Sequence, residues 1–217
     1  MLTKSNLFVR LLILGLAFVS APSQAVMITI DADSYDAGSL LTGSLSHVNL
    51  TNGFRENVYA SEFNCRDHAA PTGTRVFGLK PTAGCHGWAS QTGGPFPTRP
   101  SSSALVGAFT DPVSLIEIDL LNFGYPAMFF AEYSLYDANY ALISRGTANT
   151  PLGQAVRLTL TGANISYFDI GGFDSIAAIA VDRLSFEVPE PSTFSMILLA
   201  LVGALAIGRR KFKPANS

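Results

Sequence analysis

The sequence predicts an all-β protein, an antiparallel β-sandwich of jelly-roll type flanked by an N-terminal signal helix and a C-terminal transmembrane helix. Three observations lead there. Inside the chain, apolar residues recur at every second position, as in Ile116, Ile118 and Leu120 against Glu117, Asp119 and Leu121. That is the period of a half-buried strand, not of a helix. Between such runs lie turn clusters such as Thr51-Asn52-Gly53 and Gly171-Gly172, where the chain can reverse. At each end an apolar run lies beside basic residues. The 217-residue chain is 48% hydrophobic and only 14% charged, against roughly 25% charged in ordinary soluble domains, and its apolar excess sits in these two ends. Disorder is excluded by the apolar content. A nucleic-acid binder is excluded because the basic residues are not concentrated in the folded part.

Residues 1–25 have the three parts of an export signal. Lys4 and Arg10 form the positive start, Leu11 to Val19 is the apolar centre, and Ser23-Gln24-Ala25 supplies small residues, with cleavage expected after Ala25. The alternative is a membrane anchor, but nine apolar residues fall far short of the roughly 20 that span a bilayer. The mature protein is therefore expected outside the reducing cytosol.

Residues 26–187 form the expected ectodomain. Removing two basic residues at the start, four at the end and Glu190 leaves 8 basic against 15 acidic residues over 26–188, a net charge near −7. Met27-Ile28-Thr29-Ile30 reads as a first strand. Ile116 to Leu121 follows, then Phe129, Ala131, Tyr133 and Leu135 alternating with Phe130, Glu132, Ser134 and Tyr136. Val156, Leu158 and Leu160 alternate with Arg157, Thr159 and Thr161, and Ala180 to Phe186 is the last strand. The turns are Asp36-Ala37-Gly38-Ser39, Asp137-Ala138-Asn139 and Thr161-Gly162-Ala163-Asn164. Many short strands joined by Gly-, Asn- and Asp-rich turns point to a sandwich.

Residues 64–103 differ in composition. They are rich in Gly, Pro, Thr and Ser and show no period, so an irregular functional or disordered loop insert is expected there. The insert holds both cysteines, Cys65 and Cys85. In an exported chain such a pair reads first as one disulfide. The alternatives are free thiols, or a zinc site drawing also on His68 and His86, although adjacent Cys85 and His86 suit a tetrahedron poorly. Trp88, the single tryptophan, either stacks on sugar rings or anchors its own loop. Asn49-Leu50-Thr51 and Asn164-Ile165-Ser166 match the glycosylation pattern, which is short enough to occur by chance.

The C-terminal residues 188–217 combine three features. Val188-Pro189-Glu190-Pro191-Ser192 is an extended spacer. Residues 194–208 are a charge-free transmembrane segment, and residues 209–213, Arg209-Arg210-Lys211-Phe212-Lys213, are a basic stop that favours the cytoplasmic face. Together they resemble the C-terminal sorting signal of PEP-CTERM proteins. The resemblance implies that Pro189, Glu190 and Pro191 are the recognition tripeptide of an exosortase, a membrane-embedded cysteine protease, and that Arg209, Arg210 and Lys211 are the stop. It also implies a Gram-negative bacterium that makes extracellular polysaccharide or biofilm, with transient anchoring in the inner membrane followed by delivery to the cell surface or beyond.

The stretches Phe109 to Ser144 and Ile176 to Phe186 loosely resemble galactose-binding-like jelly rolls. Related jelly rolls often hold a structural calcium between their first and last strands. Asp182 is in phase with Leu184 and Phe186, so a regular strand would point it inward, where a carboxylate needs a partner. Asp31 and Asp33 close the first strand, and with Asp182 they would suit a hard cation. Otherwise Asp182 pairs with Arg183 or another arginine, or faces water at a bulge. Catalytic signatures are missing: there is no Gly-x-Ser-x-Gly, no phosphate-binding glycine loop and no His-Glu-x-x-His. No catalytic residue and no cofactor besides that calcium is expected. The expectation is a binding or structural component of exopolysaccharide or biofilm, not an enzyme. The alternatives are a secreted glycan-active hydrolase, which needs two carboxylates roughly 5–10 Å apart in a cleft, and a permanently anchored ectodomain.

Overall fold

Two very long strands organise the molecule, β6 (Leu105–Asn122) and β9 (Ala155–Phe173). The computed structural model describes residues 25–52, 55–65, 70–80, 82–85, 88–90, 104–123, 130–173 and 179–189. The remaining strands are β1 (Ala25–Asp31), β2 (Val48–Asn52), β3 (Tyr59–Glu62), β4 (Arg75–Gly78), β5 (Ala89–Ser90), β7 (Phe130–Tyr136), β8 (Leu142–Asn149) and β10 (Ile179–Pro189). The one helical element among the described residues is a 3-10 turn, Ala32–Ser34.

The main sheet runs β1-β10-β6-β9-β7-β8, with β2 added on β6 and β5 on β9, while β3 and β4 make a separate pair. All pairings with a defined register are antiparallel except the short β5–β9 contact. β6 changes partners along its length. Its first part, Leu105 to Phe109, pairs with β2, and Leu105 to Ala108 also pair with β9 at Ile170 to Tyr167. Its last part, Leu115 to Leu121, pairs with β9 at Thr161 to Ala155, and Ile116 to Asn122 pair with β10. The register breaks on either side of Val113, as expected where a long strand must bend.

Period-two patterning does what it predicts on β6: Ile116, Ile118 and Leu120 are fully buried. One core cluster joins them to Leu160, Val181, Leu184 and Phe186, and to Leu50, Leu105, Leu135, Phe168 and Ile170 from the other half of the sheet. Phe109 bridges the halves, with its ring 5.7 Å from Phe168 and 4.9 Å from Phe186. Gly107 is needed at this junction, because a Cβ there would overlap the Phe168 ring. The strands are therefore nearly all β and antiparallel, as the sequence predicts.

The stretch 64–103, expected to be irregular, carries β4 and β5. β4 pairs with β3 in register, and Val76 and Phe77 are buried. Its four-residue strand is too short for periodicity to reveal, and its partner lies outside the stretch. The expected signal helix and transmembrane segment 194–208 lie outside the described residues, as do Glu190, Pro191, the basic stop 209–213, His68 and His86. Ala25, the expected cleavage residue, opens β1. Among the described residues no helix is long and apolar enough to cross a membrane. Residues Met27–Val188 form one compact unit.

Candidate functional site

Three carboxylates meet where the first strand ends and the last strand bulges. Asp31 caps the 3-10 turn, its Oδ1 accepting from the Asp33 amide at 2.9 Å, which is the ordinary use of Asp at such a position. The turn swings Asp33 toward the segment before β4. There Asp33 Oδ1 accepts from the amides of Thr74 (2.9 Å) and Arg75 (3.1 Å), and Arg75 Nη1 donates to the Asp33 carbonyl at 3.1 Å. Gly73, at φ +54°, lies so close that a Cβ would overlap the Asp33 carboxylate; only glycine combines that backbone with that approach.

Asp182 arrives from the other side. On β10, Val181 pairs with Leu120 and Arg183 with Asp119, so Asp182 is the extra residue of a β-bulge. The regular strand expected from its phase with Leu184 and Phe186 is corrected by this bulge. Asp182 is nevertheless 0% exposed. Its Oδ2 accepts from the Thr72 amide and from Thr72 Oγ1, the latter at 2.6 Å. Arg183, one expected partner, instead binds Asp119 at 2.5 Å.

The oxygens that Asp31, Asp33 and Asp182 offer lie within 4.8 Å of one another. Two buried oxygens, Asp33 Oδ2 and Asp182 Oδ1, receive no hydrogen bond. Burial, and then the charges of Asp31 and Asp33, push the Asp182 carboxyl up to about 7 against the hydrogen bonds from Thr72. Such a cluster favours whatever positive charge neutralises it. Oxygens sharing one calcium lie at most about 5 Å apart, since each sits roughly 2.3–2.6 Å from the ion. The all-oxygen donor set, the spacing and the two unpartnered oxygens therefore fit a hard divalent cation.

A second charged group flanks this cluster. Asp119 binds Arg157 through both oxygens, at 2.7 and 3.0 Å, besides its contact to Arg183. It is 7% exposed, so it is no simple solvated strand carboxylate. Pro71, Thr72, Asp119, Ala155, Val156, Arg157 and Arg183 line a cavity of about 360 Å³ beside it. Thr72 thus belongs to both features. Sequence reasoning missed the 70–75 segment, whose one visible signal was the turn-forming Pro71-Thr72-Gly73-Thr74.

Cys65 and Cys85 form a disulfide, with Cα atoms 4.5 Å apart, and no cysteine is free, so the zinc and free-thiol alternatives fall away. Trp88, expected as a candidate glycan contact, is 1% exposed and sits in the core. Its Nε1 donates to the Phe77 carbonyl at 2.8 Å, and its backbone bridges Ile179 and Gly172. A buried ring with its single donor satisfied has no face for a sugar, so the glycan assignment is corrected and Trp88 is an anchor.

At the C-terminal end, β10 leads directly into Pro189. Residues 187–211 match the family model of the PEP-CTERM protein-sorting motif. This chain carries a PEP-CTERM sorting motif. The match spans Pro189, Glu190 and Pro191 and also Arg209, Arg210 and Lys211. The PEP-CTERM motif implies export and processing by an exosortase at a membrane. No curated protein matches the chain. Among solved structures, the K2 cleaved adhesin domain of Lys-gingipain is similar over 78% of this chain and 95% of its own, at 13% identity and a TM-score of 0.36. The isomalto-dextranase of Arthrobacter globiformis T6, complexed with panose, is similar over 76% of this chain and 33% of its own, at 10% identity and a TM-score of 0.33. At those scores neither likeness assigns a fold or an activity to this chain.

Proposed function

We propose that this protein is exported, held briefly in the inner membrane by residues 194–208, cut by an exosortase at Pro189-Glu190-Pro191 and delivered to the cell surface or matrix. There its ectodomain serves as a binding or structural component of exopolysaccharide or biofilm. The observation that carries this reading is the sorting motif at residues 187–211, which begins inside the last strand of the ectodomain. In this reading the ectodomain is a jelly-roll-like sandwich, supported by the single core cluster that joins residues from both ends of the long sheet.

Asp31, Asp33 and Asp182 hold a structural calcium in this reading, supported by their spacing and by the two unpartnered buried oxygens. The ion would tie the first strand to the last and both to the 70–75 segment, stiffening the domain before it enters a matrix. Export suits such a site, because extracellular calcium modules work with affinities in roughly the 10⁻⁴–10⁻³ M range.

The sorting claim is tested by replacing Pro189, Glu190 and Pro191 together with alanine and fractionating the producing cells. The variant is expected to stay with the membrane fraction while the wild type leaves it. Equal release of both would overturn the claim.

A further inference from the structure

The face of β7, β8 and β9 that turns away from Leu135 and Phe168 carries a group of polar and aromatic residues, some buried and some exposed. Cross-strand pairing sets two rows on it. One row is Arg145, Ser134 and Asp169; the next is Leu142, Tyr136 and Tyr167. Their neighbours in register, Leu135 and Phe168, point the other way, into the core. Tyr140 and Tyr167 belong to neither core cluster, whereas Tyr136 and Ser134 on the same face are buried, at 1% and 4% exposure.

Tyr140 is held out by its turn. Asp137 Oδ1 accepts from the amides of Asn139 and Ala141, both at 2.8 Å, and the Tyr140 amide donates to the Asp137 carbonyl at 3.0 Å. This places Tyr140 at φ +60°, a left-handed backbone that costs a tyrosine free energy and is kept only where the surroundings impose it. Its ring is 43% exposed and stacks on Tyr167 at 4.3 Å, with 17° between the planes. One step along the face, Tyr136 donates to Asp169 Oδ2 at 3.3 Å and Arg145 Nε donates to Ser134 Oγ at 3.2 Å. The charges of Arg145 and Glu132 act on the Asp169 carboxylate with opposite sign.

We propose that this face is a saccharide-binding platform, on which the Tyr140–Tyr167 pair takes the C–H face of a neutral hexopyranose while Asp169 and Arg145 take its hydroxyls. A pyranose ring has one apolar face and a rim of hydroxyls that both donate and accept. The exposed Tyr140 ring, backed by half-buried Tyr167, beside a partly buried carboxylate and a guanidinium offers the matching surfaces, few polar groups fixing orientation on an aromatic floor. A carboxylate accepting from sugar hydroxyls makes the stronger, charge-assisted kind of hydrogen bond. The excess of acidic groups selects for a neutral sugar, because a uronate would meet like charge. The inference rests on the matrix-binding reading above and gives that reading a site.

The test is calorimetric titration of the full chain with maltohexaose and cellopentaose, with an oligogalacturonate of similar length for comparison. Tyr140→Gly and Asp169→Asn are titrated alongside. Glycine accepts the φ of residue 140, so the first variant keeps its fold even if the second does not. At least one neutral probe is expected to bind, each variant to bind it at least 10-fold more weakly, and the acidic oligomer to bind at least 10-fold more weakly than the neutral one. Wild-type binding that Tyr140→Gly leaves unchanged overturns this site. So does equal binding of the acidic oligomer, or no binding of either neutral probe at 10 mM. The matrix reading has its own failure, namely a mature protein that does not sediment with the exopolysaccharide of its cells, so the two can be told apart.

Discussion

Asp182 is a fully buried carboxylate whose Oδ1 has no hydrogen-bond donor, and its fate is decided by what neutralises it. With calcium bound to the folded state alone, millimolar ion against a dissociation constant of about 10⁻⁴ M raises stability by about 1.4 kcal/mol. For a domain of this size that is roughly 3–6 °C in Tm. Adding millimolar calcium to chelator-treated full chain is expected to give that rise, and Asp182→Asn to lose it. No rise in the wild type, or an equal rise in the variant, would remove the ion from the account. Asp169 shows a second residue-scale effect. Burial first, with the charge of Glu132 adding, raises it from 3.8 to about 6, while Ser134, Tyr136 and Arg145 act against the shift. Val106 faces it from β6 and carries no charge. A carboxyl raised on folding contributes stability that is complete below about pH 4 and is lost as pH rises through about 6, on the order of 1–3 kcal/mol. Between pH 4 and 7.5 the wild type is expected to lose more stability than Asp169→Asn by that amount, because Asp182, raised to about 7, titrates in both. Parallel curves would contradict it.

Elements that look weak one by one are fixed here by long-range ties. β3 and β4 have four residues each, yet the Cys65–Cys85 bridge, 20 residues apart in sequence, encloses β4. Loop-closure entropy for a loop of that length corresponds to about 3 kcal/mol. Replacing both cysteines with serine is therefore expected to lower the denaturation free energy by about that amount; a change below ~0.5 kcal/mol would mean the segment is held by β3 pairing and Trp88 alone. The same reasoning explains what the sequence revealed. The alternation of Ile116, Ile118 and Leu120 was readable, because a strand with one buried face writes its period into neighbouring residues. The register break at Val113 and the bulge at Asp182 were not, because they depend on which strand lies alongside. Burial of Asp182 followed from its phase, although the local backbone differs from the strand that phase implied. Its tie to Thr72, 110 residues away, leaves no local mark. Trp88 carried two readings, and the core settled on the anchor because β9 and β10 both bond its backbone.

At the scale of the whole molecule, the ends and the middle answer different questions. The middle is a nearly all-β, acidic domain stapled by one disulfide and closed by a carboxylate cluster, features that suit a harsh extracellular setting. The end supplies the address, since residues 187–211 match a sorting motif and the charge-free run ahead of Arg209 meets the minimum length for a span. Handing a folded ectodomain to a membrane protease requires an accessible cut site. In the proposed reading the two prolines around Glu190 would favour one, because neither can donate to a strand ladder or continue a helix. The central claim is that the anchor is removed there. Its most direct test is the intact mass of the protein recovered from outside the cells, in strains with and without the exosortase. The account expects a mass lacking both the signal and the residues after the Pro-Glu-Pro site in the normal strain, with the tail retained when the exosortase is missing. A mature protein that still carries Phe194 to Ser217 in normal cells would contradict it and make this a permanently anchored ectodomain.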